Sequence, residues 1–227
     1  MKVGILECGV PPESVGARHG SYAAMVRRML GPGHDAQVFA TLQGVLPAAA
    51  EACDAYVVTG SPAGVMDDLP WIPPLLDFLR DARGRARLVG LCFGHQAMAA
   101  AFGGRVQKSP RGWGLGLHGY DVVARAAWMD DATTIRAPAF HQDQVVAAPP
   151  GARLLLASAF TPLAALDYGD AVSFQFHPEF TVPYAVALTE ALQDRFGAHA
   201  APALASYAGP DDVARVQGWI GRFLDGG

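Results

Sequence analysis

The sequence lacks an excess of basic charge. Its 227 residues include 17 lysines and arginines against 21 aspartates and glutamates, which gives a formal net charge of −4 with neutral histidines. Proteins that bind a polyanion normally carry clustered positive charge, so we expect no nucleic-acid partner. Hydrophobic residues make up 51% of the chain, which is enough for a full core. We therefore expect one folded domain over residues 1–227.

Cysteines and long apolar segments are also scarce. The three cysteines, Cys8, Cys53 and Cys92, are odd in number and lack the spacing of a disulfide framework or a zinc site, so we expect no disulfide and no metal. No run of 18 apolar residues occurs, and Glu7 stands where a secretory signal carries apolar residues. We expect a cytoplasmic protein with no membrane partner. No Gly-x4-Gly-Lys-Ser/Thr loop is present, and no cofactor is expected.

Short apolar runs alternate with amphipathic stretches in the first hundred residues. The predicted strands are residues 3–8, 37–40, 56–59 and 87–91, and the predicted helices are residues 22–30, 71–83 and 94–102. Strands that alternate with helices predict an α/β fold, with a mostly parallel sheet covered by helices on both faces. Ligands bind such sheets at the carboxyl ends of the strands, which is where Cys92 lies.

The pattern changes after residue 105. Shorter runs at 117–123, 153–158, 163–167 and 171–176 are separated by Gly, Pro and Asp, and they predict antiparallel strands that extend the sheet. Towards the end, residues 184–196 predict a helix and residues 197–210 a connector. The pair Asp211 and Asp212 is placed to cap a last helix that reaches Phe223.

Cys92 stands at a junction between a predicted strand and a predicted helix. The segment reads Gly90-Leu91-Cys92-Phe93-Gly94. A tight turn from strand to helix projects its central side chain, and it needs small residues on both sides to avoid clashes. The helix N-terminus also favours the negative charge of a thiolate. This pattern predicts that Cys92 is a nucleophile.

A thiol nucleophile needs a base, and His177 is the best candidate. His177 follows the predicted strand 171–176, Pro178 ends the strand pairing, and Glu179 is placed to accept a hydrogen bond from the imidazole. Nucleophile, imidazole and carboxylate form the general arrangement of a catalytic triad. His141, in a segment that reads as a loop, is the rival base, whereas His95 lies on the first turn of the helix after Cys92.

The segments around Cys92 and His177 resemble the two signature motifs of class I glutamine amidotransferases. The loops at residues 61–72 and 108–114 are similar to those of stand-alone members described as GMP-synthase-like and of plant γ-glutamyl peptidases. The resemblance implies a flavodoxin-like α/β fold and a Cys-His-Glu triad. It also implies an oxyanion hole formed by the main-chain N–H groups of Ser61 and Phe93. Many members have two glycines where this chain has Gly60-Ser61, so the backbone is less free here.

The resemblance also implies which residues hold a substrate. Gln96 and Gly60 correspond to positions beside the glutamyl group, and His141, Gln142 and Asp143 correspond to the segment that meets its α-amino and α-carboxylate ends.

The implied reaction is hydrolysis of a γ-glutamyl amide, glutamine to glutamate and ammonia, through a γ-glutamyl thioester. Because no synthetase half is recognisable, a separate synthetase subunit is one expected partner besides the small-molecule substrate. The alternatives are a γ-glutamyl peptidase or hydrolase without ammonia transfer, and a catalytically silent regulatory module.

Overall fold

The structure of the protein, a computed structural model, describes residues 1–226. The strands are β1 (Lys2–Leu6), β2 (Asp35–Phe39), β3 (Ala55–Val58), β4 (Arg87–Leu91), β5 (Arg105–Lys108), β6 (Gly114–Val122), β7 (Thr134–His141), β8 (Asp143–Ala147), β9 (Arg153–Ala157), β10 (Ala165–Asp167) and β11 (Ala171–Phe174). The helices are α1 (Glu13–His19), α2 (Tyr22–Leu30), α3 (Ile72–Ala82), α4 (Phe93–Ala101), α5 (Val182–Ala191), α6 (Gln193–Phe196), α7 (Ala200–Ser206) and α8 (Val213–Asp225).

One large mixed sheet organises the molecule. Its strand order is β2-β1-β3-β4-β11-β10-β9-β6-β7. The first five strands in this order pair in parallel, and the remaining four continue the sheet with antiparallel pairing. The predicted α/β fold with an antiparallel extension is confirmed. The smaller sheet β5-β8 had no counterpart among the predicted strands.

The parallel strands are apolar on both faces because helices cover both. Alternate residues of β3 point to opposite sides: Val57 packs in the core cluster with residues of α2 and α8, whereas Tyr56 and Val58 pack in the cluster with residues of α3 and α4. A strand with both faces buried must be apolar throughout, since its side chains alternate between two cores. The sheet is thereby held rigidly at the carboxyl ends of β3, β4 and β11.

Local signals explain several helix ends. The Ser21 hydroxyl accepts a hydrogen bond from Ala24 N at 3.2 Å at the start of α2. In α3 the prolines lie in the first turn, where no intrahelical N–H is required. At α8 the side chain of Asp211 accepts from Val213 N at 2.9 Å, whereas Asp212 accepts from Arg136 N. Of the two predicted capping side chains, only that of Asp211 therefore accepts a hydrogen bond from a main-chain N–H of the helix, whereas Asp212 bonds the side chain of Arg215 at 3.3 Å.

Three secondary-structure predictions for the second half were wrong. The predicted connector 197–210 contains α7, whose single proline, Pro202, falls in the first turn and does not stop an alanine-rich helix. The predicted helix 184–196 is divided at Leu192 into α5 and α6. The predicted antiparallel strand 171–176 ends at Phe174 and pairs in parallel with β4 as well as antiparallel with β10.

Among the described residues, every helix is too short or too polar to traverse a lipid bilayer.

Candidate active site

Cys92 occupies a strained turn between β4 and α4. Its φ of 52° and ψ of −98° make it the one non-glycine residue with positive φ among residues 1–226. Cys92 N donates to Phe174 O at 2.8 Å, and Gln96 N donates back to Cys92 O at 3.1 Å. These bonds hold an unfavourable conformation in place, and such strain is concentrated at functional sites.

The two glycines beside this turn are required by close backbone packing. A Cβ at Gly94 would lie 2.4 Å from the carbonyl oxygen of Val58, and one at Gly90 would lie 2.6 Å from the carbonyl oxygen of Gly94. Helix α4 therefore approaches β3 and β4 more closely than any side chain at these positions would permit. The geometry is that of a nucleophile elbow.

His177 is hydrogen-bonded to Glu179. The imidazole Nδ1 lies 2.8 Å from the carboxylate Oε1, and both side chains are buried. His177 N donates to Pro138 O at 2.9 Å, which ties the residue to β7. The other ring nitrogen, Nε2, is buried and makes no hydrogen bond within residues 1–226. This nitrogen is the one left for proton transfer.

The charges around His177 favour its protonated form. Burial alone lowers the pKa of the imidazole, but the charges of Glu179 and Cys92 outweigh burial and raise this pKa to about 10. A histidine between two acidic partners is stabilised as imidazolium. The arrangement therefore favours the imidazolium form of His177.

Gly60 lies against both His177 and Cys92. A Cβ at this position would be 3.1 Å from His177 Cε1 and 3.9 Å from Cys92 Cβ. Gly60 follows β3, so the carboxyl ends of β3 and β4 and the segment after β11 meet at one point.

Two main-chain donors are free at the same place. Neither Ser61 N nor Phe93 N donates a hydrogen bond to another group of the described chain. Phe93 N is the first N–H of α4, where an intrahelical acceptor is absent and the helix dipole favours negative charge. Both residues line the cavity that contains Cys92. The arrangement can accept an oxyanion.

Gln96 connects α4 to the segment 141–143, where the sequence predicts substrate contacts. Its Nε2 donates to Asp143 O at 2.8 Å and to Gln175 Oε1 at 3.3 Å. Lys108 Nζ lies 3.1 Å from Gln142 Oε1 and 3.5 Å from Asp143 Oδ1. The structure therefore brings Gln96, Gln142 and Asp143 together, with a lysine that the sequence had not indicated.

The sequence suggested that His141 lies in a loop, but the structure places it in a strand. It is the last residue of β7, it is buried, and burial lowers its pKa to about 3, with further lowering by the charges of His118 and His177. Neither ring nitrogen has a hydrogen-bond partner among the described residues. With no carboxylate to orient it, His141 lacks the partner that His177 has. His95 is buried and its Nδ1 lies 2.7 Å from Ser173 Oγ.

A cavity of about 340 Å³ opens above these groups. Every residue expected at the site lines it except Glu179, which stands behind His177. Several lining residues had no site role predicted from the sequence. Asp67, Lys108 and Trp113 lie in the two loops that carry the family resemblance, whereas no local pattern marks others such as Tyr22, Phe180, Leu188, Leu192, Arg195 and Phe196. Within residues 1–226 no group of three or more His, Cys, Asp or Glu side chains is placed to hold a metal ion.

This chain is similar in sequence to several curated proteins, at modest identity. A glutamine amidotransferase-like protein of Schizosaccharomyces pombe is 26% identical over 216 residues, which cover 84% of each chain. γ-Glutamyl peptidase 4 of Arabidopsis thaliana is 30% identical over 57% of this chain and 55% of its own length. The glutamine-hydrolyzing GMP synthase of Nitrosococcus oceani is 33% identical over 55% of this chain, but only 25% of its own length is matched.

A solved structure and a family model agree with these relatives. The glutamine amidotransferase of Thermotoga maritima superimposes with a TM-score of 0.81 at 17% identity, and the match covers 99% of this chain and 98% of that one. The model of the family described as glutamine amidotransferase class-I matches residues 22–185. The resemblance inferred from the motifs is confirmed, and the chain belongs to the class I glutamine amidotransferase family.

Proposed function

We propose that this protein hydrolyses the γ-amide bond of a γ-glutamyl substrate, with Cys92 as nucleophile, His177 as acid and base, and Glu179 as the group that orients His177. The observation that carries the proposal is the hydrogen bond of 2.8 Å between His177 Nδ1 and Glu179 Oε1, beside a cysteine held at φ 52° in the same cavity.

The acylation step uses these groups in order. The Cys92 thiolate attacks the γ-carbonyl carbon, and the carbonyl oxygen becomes an oxyanion that accepts hydrogen bonds from Ser61 N and Phe93 N. The imidazolium of His177 then gives its proton to the leaving nitrogen as the C–N bond breaks. An amine leaves and a γ-glutamyl thioester remains. Each oxyanion donor contributes about 3 kcal/mol to transition-state stabilisation.

Deacylation reverses the proton movement. Neutral His177 takes a proton from water, the resulting hydroxide attacks the thioester carbon, and the S–C bond breaks to release glutamate and the Cys92 thiolate. His177 ends this step as imidazolium, the form that its raised pKa favours. Gly60 leaves space for the imidazole, while Gln96, His141, Gln142 and Asp143 border the part of the cavity where the α-amino and α-carboxylate groups of the substrate would bind.

Two fates of the amine are supported by the relatives. The match to a GMP synthase, which covers a quarter of that enzyme, supports transfer of the ammonia to a synthetase. The match to a γ-glutamyl peptidase supports free hydrolysis instead. The complete Cys, His and Glu set argues against a catalytically silent module, since a silent module has no need of an ordered His-Glu pair.

The test is release of glutamate from glutamine and from γ-glutamyl dipeptides by the purified protein. Release should disappear in Cys92→Ala and persist in Cys53→Ala, because Cys53 is equally buried but lies outside the cavity. Activity that survives in Cys92→Ala would refute the proposed nucleophile. A wild-type protein whose Cys92 reacts with a chloroketone analogue of glutamine but releases no glutamate would support dependence on a synthetase subunit.

A further inference from the structure

One wall of the active-site cavity is a series of aromatic contacts that begins at the nucleophile. The carbonyl oxygen of Phe140 lies 3.9 Å from Cys92 Sγ. The ring of Phe140 packs edge-on against Phe196 with 5.2 Å between centroids, and Phe196 packs edge-on against Trp113 at 5.0 Å. All three aromatic residues line the cavity. The wall therefore runs from Phe140, whose main-chain oxygen lies near the thiol, to Trp113 through aromatic side chains alone.

A guanidinium group lies at the far end of this wall. Arg195 Cζ is 5.0 Å from the centroid of the Trp113 ring, and Arg195 also lines the cavity. Within the described chain Arg195 makes no salt bridge. A guanidinium on an aromatic face is held in place by the ring and still presents its N–H groups to an anion. The group is available to a ligand carboxylate.

We propose that this wall is the leaving-group subsite, and that it selects γ-glutamyl amino acids whose second residue has a large apolar or aromatic side chain and a free carboxylate. The side chain would pack along Phe140, Phe196 and Trp113, and the carboxylate would pair with Arg195. The inference rests on the proposed γ-glutamyl hydrolysis and names its substrate class.

The chemistry of the wall fits such a leaving group better than ammonia. Ammonia has no surface to place against three aromatic rings, whereas a single aromatic side chain buries about 150–250 Å². A carboxylate matches the planar fork of Arg195 in a bidentate pair. In the reaction the γ-carbonyl C–N bond breaks, the amino acid leaves with the proton of His177, and water supplies the oxygen of the new glutamate carboxylate.

Three substrates separate the two features of the subsite. γ-Glutamyl-phenylalanine offers both ring and carboxylate, γ-glutamyl-phenethylamide offers the ring alone, and γ-glutamyl-glycine offers the carboxylate alone. For the wild-type protein we expect kcat/KM to be highest for γ-glutamyl-phenylalanine, with a loss of about tenfold for each feature removed. Equal values for the three substrates would overturn the inference.

The variant Arg195→Gln tests the guanidinium directly. It should lower kcat/KM for γ-glutamyl-phenylalanine about tenfold and leave γ-glutamyl-phenethylamide within about twofold, and Arg195→Lys should restore part of the loss. Arg83→Gln is the matched control, because Arg83 also lies over an aromatic ring, 4.6 Å from the centroid of Phe102, but outside the cavity. A loss in Arg195→Gln that is the same for both substrates would contradict the carboxylate pairing.

Binding to Cys92→Ala distinguishes this inference from the proposed reaction. Calorimetry with γ-glutamyl-phenylalanine should give tighter binding to Cys92→Ala than to Cys92→Ala/Arg195→Gln, while γ-glutamyl-phenethylamide should bind both equally. Selective binding without turnover by the wild type would refute the reaction and retain the subsite. Turnover of all γ-glutamyl substrates without selective binding would retain the reaction and refute the subsite.

Discussion

The ring of Phe180 lies flat against the imidazole of His177. The two centroids are 3.9 Å apart and the planes differ by 10°. Phe180 is itself held by Tyr184, edge-on at 4.4 Å, and by Tyr22, stacked at 6.4 Å. His177 is thus confined by the hydrogen bond that it donates to Glu179 and by an aromatic ring on its face.

This contact predicts that Phe180 positions the imidazole. Phe180→Leu should lower kcat about tenfold and leave KM within about twofold, because the substrate contacts remain while the imidazole loses its fixed plane. Steady-state kinetics on a γ-glutamyl substrate provide the measurement. Phe102→Leu is the control, since Phe102 also packs edge-on against a tyrosine but lies outside the cavity. A rise in KM with unchanged kcat would assign Phe180 to substrate binding instead.

Glu179 should determine the alkaline limit of activity. Leaving-group departure needs imidazolium, which the wild type retains up to its pKa of about 10, so activity should fall as pH rises through this value. Glu179→Gln removes a charge that raises the pKa of His177, and the alkaline limb should move to lower pH. We also expect kcat to drop about 10⁴-fold, as for other triad carboxylates. The measurement is kcat as a function of pH for the wild type and for Glu179→Gln on the same substrate. If activity falls at the same alkaline pH in both proteins, Glu179 does not control the pKa of His177.

Gly60 should tolerate no side chain. In Gly60→Ala the new Cβ lies 3.1 Å from His177 Cε1, so either the imidazole or the loop must shift, and a displacement of this kind lowers kcat about a hundredfold. Gly119→Ala provides the matched change, because a Cβ at Gly119 has no atom within 4 Å and Gly119 does not have positive φ. Kinetics and thermal melting of both variants are to be compared. If Gly60→Ala keeps full activity, the close approach of Gly60 to the pair has no catalytic importance.

The elbow glycines should control stability as well as geometry. Gly94→Ala places a Cβ 2.4 Å from Val58 O, and we expect the free energy of unfolding to fall by about 3 kcal/mol as α4 is forced away from β3. Gly221→Ala, in the interior of α8 with no atom within 4 Å of its Cβ, should raise it by about 1 kcal/mol through helix propensity. Urea denaturation measures the free energy of unfolding of the two variants, which we expect to change in opposite directions. A decrease in both or an increase in both would contradict the close packing of Gly94 against β3 as the cause.

Local sequence carried enough information to predict the parallel strands of the N-terminal half and to nominate candidate reacting groups. The strand ending at Leu91, the glycines on either side of Cys92, and the order His177, Pro178, Glu179 are all short-range signals, because an elbow and a hydrogen bond across two residues depend on neighbours in the chain. The structure places Cys92, His177 and Gly60 together because β3, β4 and β11 are adjacent and parallel. The alternation of strands and helices predicted this arrangement for β3 and β4 but not for β11.

Tertiary packing determined the features of the structure that local sequence patterns did not predict. His141 reads as a loop residue, since its segment carries no strong strand signal, but pairing with Gly114 makes it the buried end of β7. Residues 200–206 form a helix because they pack on β6, where a Cβ at Gly116 would lie 2.9 Å from the Ala203 Cα. Trp113, Phe180 and Arg195 come from segments distant in the sequence, and no local pattern predicted that they line one cavity. The sequence by itself therefore determined the fold class and the candidate nucleophile, base and orienter. The shape and chemistry of the leaving-group wall arise only from long-range packing, because contacts between residues far apart in the chain leave no local sequence pattern.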